Sequence, residues 1–108
     1  MDDNFDAKLF VATLKRKSQG LETKLQQSIQ KYLRSIGAYC FKVHGNTYMK
    51  RGIPDIICCH KGLFYGIECK VGYNKMSDVQ EAHKDMIIKA GGTHICAYNL
   101  DDVKKVIK

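Results

Sequence analysis

Two apolar segments separated by a Lys-Gly pair constrain the fold of this chain more than any other part of its sequence. Residues 56–59 form a nearly continuous apolar run, and residues 63–70 form a second, longer one. Lys61 and Gly62 lie between them at a spacing typical of a tight turn. The pattern predicts a β-hairpin whose first strand is buried on both faces. Gly66, inside the second strand, indicates a point where another group approaches the backbone closely.

The predicted hairpin carries charged side chains at one end. Asp55 opens the first strand, and Glu68 and Lys70 close the second. Because side chains alternate along a strand, Glu68 and Lys70 are expected on one face and Cys69 on the other. Two carboxylates about 4 Å apart repel by roughly 4 kcal/mol at an effective dielectric constant of about 20, and a divalent cation such as Mg²⁺ removes that cost. The pattern fits either a metal site with a neighbouring lysine or a salt bridge at the end of a strand.

Composition predicts a single soluble domain with a polyanionic partner. The chain has 108 residues and a formal net charge of +7, which favours one domain that binds nucleic acid, although a basic surface also serves solubility. It lacks the run of about 20 apolar residues that a membrane span needs. The N-terminal residues MDDNFD are acidic, unlike a signal or transit peptide. We therefore expect an intracellular, cytoplasmic protein.

The cysteines are expected to act as small apolar side chains. There are five of them, an odd number, and no C-x-x-C motif occurs, which argues against a disulfide framework. Zinc binding by Cys58, Cys59 and His60 is an alternative, but adjacent residues of a strand point to opposite faces. We expect all five thiols to be buried.

The remaining periodicities predict the order of the other elements. Apolar residues recur at helical spacing over residues 21–36 and 77–90, and a glycine follows each segment. Alternating patterns predict strands over residues 38–43 and 94–98, and a last helix over residues 100–107. The fold class is α/β (α+β): an αβββαβ core with a mixed four-stranded sheet flanked by helices.

The N-terminal residues are expected to form a separate leader. Within residues 1–19, Asn4 is positioned to cap a short helix that ends at Gly20. We expect the apolar side of this helix to pack on the body of the protein or on a second subunit. Residues 20–108 then form the main domain.

Two polar residues on the predicted helices have ordinary structural interpretations. Glu22, in the first turn of its helix, either complements the positive helix end or adds a carboxylate to Asp55 and Glu68. Gln80 fits a capping box, in which its side chain bonds back to the backbone of Ser77.

Basic and aromatic residues around the loop of residues 46–54 suit the backbone of a nucleic acid, although a solvated loop has the same composition. The candidates for nucleic-acid binding are Lys42, His44, Tyr48, Lys50, Arg51 and Lys75.

Four motifs in one order resemble the VRR-NUC (virus-type replication-repair nuclease) family of the PD-(D/E)XK nuclease superfamily. The likeness covers about residues 21–98 and leaves out the leader and the last helix. The middle residue of the E-x-K motif is usually apolar in the family, often valine, so Cys69 is a mild departure. The motifs are a helix with Glu22, Gly52-x-Pro54-Asp55, Glu68-Cys69-Lys70, and Ser77-x-x-Gln80.

The resemblance implies a restriction-endonuclease-like core and a Mg²⁺ or Mn²⁺ site. By similarity, Asp55 and Glu68 are the principal metal ligands, together with the backbone carbonyl of Cys69. Glu22 completes the site directly or through a water molecule.

The resemblance also implies the chemistry. Lys70 is expected to orient or deprotonate the attacking water, and Gln80 to support the lysine or the substrate. The implied reaction is phosphodiester hydrolysis in DNA that leaves a 5′-phosphate. Small members of this family and related resolvases act as homodimers on four-way (Holliday) junctions or other branched DNA. The same resemblance leaves a phage origin open.

Other functions fit parts of the pattern. One alternative is a non-catalytic DNA-binding module with the same fold, and another is a nuclease directed to flaps or free ends. A toxin-like or restriction nuclease would be expected to carry a recognition domain, which this sequence lacks. A zinc or redox protein would use the cysteines.

Overall fold

The computed structural model describes residues 6–45 and 51–108, so Asn4, Tyr48 and Lys50 lie outside the described residues. The observed order of helices and strands confirms the predicted fold class. The elements are α1 (Ala7–Ser35), β1 (Tyr39–Lys42), β2 (Ile56–His60), β3 (Leu63–Cys69), α2 (Asp78–Lys89), β4 (Thr93–Ala97) and α3 (Leu100–Lys104).

The four strands form one mixed sheet in the order β1-β2-β3-β4. β1 pairs with β2, and β2 with β3, in antiparallel register, whereas β4 joins β3 in parallel after the crossover through α2. Lys61 (φ 52°) and Gly62 (φ 80°) connect β2 to β3. Positive φ at both central residues matches the twist of a two-residue hairpin. The predicted hairpin is therefore confirmed.

One face of the sheet forms the hydrophobic core with α1 and α3. From α1, Ile29 and Leu33 are fully buried against this face. From β3, Ile67 and Cys69 point into the same core because they are two residues apart. The C-terminal third of α1 is thereby held against the sheet.

The opposite face is only partly covered, by α2. At Gly66 a Cβ would lie 2.8 Å from Pro54 Cγ and 3.0 Å from Ile87 Cδ1, so the close approach predicted for this glycine is confirmed. Tyr39 and Phe41 of β1 remain exposed, with their rings edge to face at 6.1 Å.

The predicted helix end at Gly20 is wrong. α1 passes through Gly20 without interruption and begins after Asp6, whose carboxylate accepts hydrogen bonds from the N–H groups of Lys8 (3.0 Å) and Leu9 (3.2 Å). One interior glycine costs a helix only about 1 kcal/mol, and the neighbouring residues on both sides favour helix. The division into residues 1–19 and 20–108 stays a prediction.

Two packing predictions are affected by the structure. Val11, Leu14 and Leu21 are exposed, so of the two partners expected for the N-terminal half of α1 the body is excluded, and packing on a second subunit stays a prediction. Cys59 is exposed on the face opposite buried Cys58, so the cysteines are not all buried. In the described part of the chain, no helix has both the length and the apolar character that crossing a membrane requires.

Candidate active site

Asp55 ties together the ends of three strands at one edge of the sheet. Its backbone carbonyl accepts a hydrogen bond from Val43 N–H (2.8 Å), just beyond β1. Its carboxylate Oδ2 accepts one from the Cys69 N–H (2.8 Å), at the end of β3. Gly52 lets the preceding loop reach this edge, since its φ is 83° and a Cβ there would lie 2.6 Å from Val79 of α2. The Gly-x-Pro-Asp motif therefore sets the position of the Asp55 carboxylate.

Glu68 is a buried carboxylate, and only one of its two oxygens is hydrogen-bonded among the described residues. The residue is 2% exposed. Its Oε1 accepts a hydrogen bond from Gln80 Nε2 (3.0 Å), but Oε2 is buried and has no partner among the described residues. Burial, and next the neighbouring Asp55 carboxylate, raise the pKa of Glu68 to about 8, while Lys70 acts in the opposite direction. An ionised Glu68 is unfavourable here unless a cation accompanies it.

Gln80 forms the predicted capping box and also contacts the Glu68 carboxylate. Its Oε1 accepts a hydrogen bond from Ser77 N–H (2.8 Å), and its own N–H donates to Ser77 Oγ (3.2 Å), which completes a capping box at the start of α2. The amide Nε2 remains free to donate to Glu68. The cap thereby fixes the amide that orients the Glu68 carboxylate.

Glu22 reaches the same site from α1. Burial raises the pKa of this carboxyl, and the Asp55 carboxylate adds to the effect, whereas Lys70 and Lys42 lower it. These mutual influences place Glu22 within electrostatic range of Asp55 and Lys70, although the three residues are far apart in sequence. The structure therefore brings Glu22 to the charged end of the hairpin.

Lys70 follows directly after β3, and its N–H donates to the Ala97 carbonyl (3.0 Å). Its ammonium group influences both Glu22 and Glu68, yet it forms no salt bridge with any residue that the structure describes. The alternative of a structural salt bridge at the strand end therefore lacks support.

A comparison with solved structures identifies the fold. One of them, described as a VRR_NUC domain, is 18% identical in sequence to this chain. The match covers 80% of this chain and 92% of that one, with a TM-score of 0.67. The chain has a VRR-NUC-like fold. No protein-family model matches the sequence, and no curated protein matches it.

Within this VRR-NUC-like fold, the candidate residues for nucleic-acid binding differ in their distance from the carboxylates. Lys42 is half-buried and close enough to Glu22 to lower its pKa. His44, Arg51 and Lys75 are exposed, and within the described ranges none of them forms a salt bridge with Asp55 or Glu68. Their predicted contacts with nucleic acid stay predictions, as do those of the two loop residues outside the described ranges.

Gln26 is a site residue that the sequence analysis missed. It is 5% exposed, and its Oε1 has no partner among the described residues. It lies one helical turn beyond Glu22 in α1. The sequence signal that could have indicated its burial is its position next to Leu25, which belongs to the apolar stripe of this helix. A polar cavity of about 470 Å³ opens here, lined by Gln19, Glu22, Thr23, Gln26 and Lys42.

The donor chemistry of the site suits a hard divalent cation. In residues 6–45 and 51–108, no group of three or more His, Cys, Asp or Glu side chains is arranged to hold a metal ion. Asp55 and Glu68 nevertheless form a pair of adjacent carboxylates, and Glu68 Oε2 accepts no hydrogen bond from any residue in these ranges. Two carboxylates completed by a carbonyl and water molecules are a set of ligands that Mg²⁺ accepts.

Proposed function

We propose that this protein is a metal-dependent DNA endonuclease that hydrolyses phosphodiester bonds. The observation that carries the proposal is the pair of half-buried Asp55 and buried Glu68 beside Lys70, whose ammonium forms no salt bridge within the described residues. The formal net charge of +7 supports a polyanionic substrate.

Each residue has a defined part in the proposed reaction. Asp55, Glu68 and the Cys69 carbonyl hold Mg²⁺ or Mn²⁺, and Glu22 contributes directly or through water. When bound, the metal ion supplies a Lewis acid that polarises the phosphoryl oxygens. Lys70 orients the attacking water through Nζ or, as the neutral amine, takes up its proton.

Gln80 keeps the Glu68 carboxylate oriented. The hydrogen bond to Oε1 fixes one carboxylate oxygen and leaves Oε2 directed elsewhere, so Gln80 is a positioning residue in the proposed mechanism. Substitution at Gln80 should therefore weaken metal binding before it affects the fold of α2.

The substrate we propose is branched DNA, such as a four-way junction, cut by a homodimer. Two copies of the chain would present two sites to the two strands that a junction resolvase cuts. The exposed apolar side of α1, with Leu14 48% and Leu21 57% exposed, and fully exposed Tyr73 are the surfaces that support self-association.

A cleavage assay tests the proposal. The purified protein is incubated with labelled four-way junction, splayed-arm, single-stranded and linear duplex DNA in Mg²⁺, Mn²⁺ or EDTA. The Lys70→Ala variant is expected to lose cleavage with folding and DNA binding nearly intact, whereas the matched Lys31→Ala variant, which removes an exposed lysine of α1, retains it.

The substrate pattern separates the alternatives. Paired symmetric cuts in the junction that disappear in EDTA support the dimeric resolvase. Cuts confined to flaps or free ends would support the endonuclease activity and contradict the homodimeric resolvase. DNA binding without cleavage in the presence of any metal ion would contradict the endonuclease and support a DNA-binding module.

A further inference from the structure

The N-terminal half of α1 extends beyond the end of the sheet that carries the site. The buried residues of α1 begin only at Gln26. Lys42, the last residue of β1, shares a cavity with Glu22, so the sheet ends level with Glu22. The helix continues for two further turns to Lys15 and four to Lys8, about 10 Å and 21 Å along its axis. The molecule is accordingly elongated, with dimensions of 59 × 28 × 24 Å.

Lys8 and Lys15 lie on the same side of this overhang as Glu22. The three residues are spaced by seven, and an α-helix turns by about 100° per residue, so Lys15 and Lys8 are only about 20° and 40° from Glu22 around the axis. Both side chains are exposed, and neither forms a salt bridge with a residue in the described ranges. The overhang therefore presents two exposed lysines in line with the site, neither of them paired with a described carboxylate.

Helix stability does not account for this charge. From Ala7 to Leu21 the sequence has Lys8, Lys15, Arg16 and Lys17 but no Asp or Glu, and the first turn of α1 lacks an acidic residue. Lys8, in the first turn, opposes the helix dipole by a few tenths of a kcal/mol. An anionic partner would complement the whole group of cations.

We propose that the overhang, defined as residues 7–21 of α1, binds the sugar–phosphate backbone of the DNA arm that leads into the site, through Lys15 and Lys8. This inference rests on the proposed function for its substrate. One strand of duplex DNA carries a phosphate about every 3.4 Å of axis, so Lys15 and Lys8 lie about three and six phosphates from the site. A shallow cavity of about 370 Å³ between them, with Ala7, Val11 and Ala12 in its lining, offers an apolar surface to a sugar.

Salt dependence of DNA binding tests the proposal without requiring cleavage. Binding of a labelled four-way junction is measured in EDTA over a range of salt concentrations for the wild type and for Lys8→Ala/Lys15→Ala. Each phosphate contact contributes about 0.9 to the slope of log K against log[salt]. The double variant is therefore expected to lose about 2 from this slope, and to bind at least about tenfold more weakly at low salt.

The matched control is Lys24→Ala/Lys31→Ala. These lysines belong to the same helix, have the same spacing and are exposed, but they lie about 160° and 180° from Glu22. An equal loss of slope in the control would show an effect of net charge alone and would overturn the proposal. Unchanged thermal unfolding of both variants verifies that the fold is intact.

A second comparison uses the length of the DNA arms. Because the overhang spans about six base pairs at 3.4 Å each, junctions with arms of about 12 base pairs should distinguish the variant from the wild type, and arms of about 4 base pairs should not. A difference that persists with short arms contradicts the proposal. A loss of binding to anionic lipid vesicles with an unchanged DNA slope would instead assign the overhang to a membrane surface.

The test also separates this inference from the proposed function. If the wild type cleaves DNA but Lys8→Ala/Lys15→Ala keeps the full slope, only the overhang proposal fails. If the wild type binds DNA without cleaving it and the variant loses slope, the endonuclease fails and the DNA-binding surface stands.

Discussion

Glu68 is the residue at which the stability of the fold and the proposed chemistry oppose each other. It lies in the interior next to a second carboxylate, and one of its oxygens has no hydrogen-bond partner in the described part of the chain. A protein that needed only stability would place an apolar side chain here, since burying an uncompensated charge is costly. The conflict is typical of a site that is completed by a ligand.

Replacing Glu68 by Gln is expected to stabilise the metal-free protein at alkaline pH. Between the ordinary value of 4.5 and the raised pKa of about 8, the unfolded chain loses a proton that the folded protein keeps. The free energy of unfolding therefore falls as pH rises through this range and stays low above it. Glu68→Gln removes this dependence while its amide oxygen can still accept from Gln80.

The measurement is thermal unfolding in EDTA from pH 4 to pH 9. At pH 8 the variant should melt at least about 4 °C above the wild type, the shift that about 1 kcal/mol produces in a small domain, and below about pH 4.5 the two should converge. Glu81→Gln, at an exposed position of α2, serves as the control and should follow the wild type. A wild-type stability that rises between pH 5 and pH 8, with no such rise in Glu68→Gln, would contradict the raised pKa of Glu68.

Asp55→Asn is expected to abolish the stabilisation of the protein by Mn²⁺. The amide oxygen of Asn can still accept the hydrogen bond from the Cys69 N–H, so the fold should survive. A bound ion raises the melting temperature by mass action, and the loss of one anionic ligand should remove most of that increase. An equal Mn²⁺-dependent shift in the variant and the wild type would place the metal elsewhere.

At the scale of elements, two glycines that lie inside regular structure differ in whether the fold has room for a side chain. Gly20 is within α1, and a Cβ there would meet nothing within 4 Å. Gly66 is within β3, where the side chains of Pro54 and Ile87 occupy the space that a Cβ would need. Packing, and not the residue type, decides what each glycine contributes.

Gly20→Ala is expected to stabilise the protein by up to about 1 kcal/mol, because alanine is the better residue in a continuous helix. Urea-induced unfolding measures the change. A destabilised variant would mean that the chain needs the conformational freedom of glycine at this position, as a helix end at Gly20 would require.

Gly66→Ala is expected to destabilise the protein by about 1 to 3 kcal/mol, the usual cost of forcing extra volume into a packed site. The added methyl group would displace Pro54 and, with it, the loop that holds Asp55. The same unfolding experiment applies, and a neutral result would show that Pro54 yields without consequence. Cleavage should then be unaffected as well.

At the scale of the whole molecule, α1 has a C-terminal part packed in the core and an N-terminal half that is exposed to solvent. Its C-terminal third is part of the core, while its N-terminal half exposes apolar residues on one side and lysines on the flank that faces the site. The two surfaces are compatible, because a second subunit and a DNA arm would occupy different sides of the helix.

Light scattering tests the proposed homodimer. We expect the wild type to be dimeric and Leu14→Gln/Leu21→Gln to be monomeric, because the substitutions remove apolar contacts from an exposed stripe without affecting the core. Leu63→Gln, at an exposed position by the β2–β3 turn, should remain dimeric. A monomeric wild type at working concentration would contradict the dimer and leave the endonuclease proposal to the cleavage assay.

Local features of the sequence determined the hairpin, the order of elements and the capping box. Each depends on residues that are close in the chain: the Lys61-Gly62 pair sets the turn, and Ser77 and Gln80 are three residues apart. Such interactions have the same geometry in almost any surrounding fold, so they can be predicted from the sequence.

Tertiary structure decided which side chains meet. Glu22 has an ordinary position in the first turns of a predicted helix, and only the packing of α1 against the sheet brings it to Asp55 and Lys70. Likewise, the burial of Gln26 depends on neighbours distant in sequence. The continuity of α1 through Gly20 depends on the helix propensity summed over the whole helix. Sequence determines local geometry because it acts through adjacent residues, whereas desolvation and electrostatic interaction arise only after distant segments have packed.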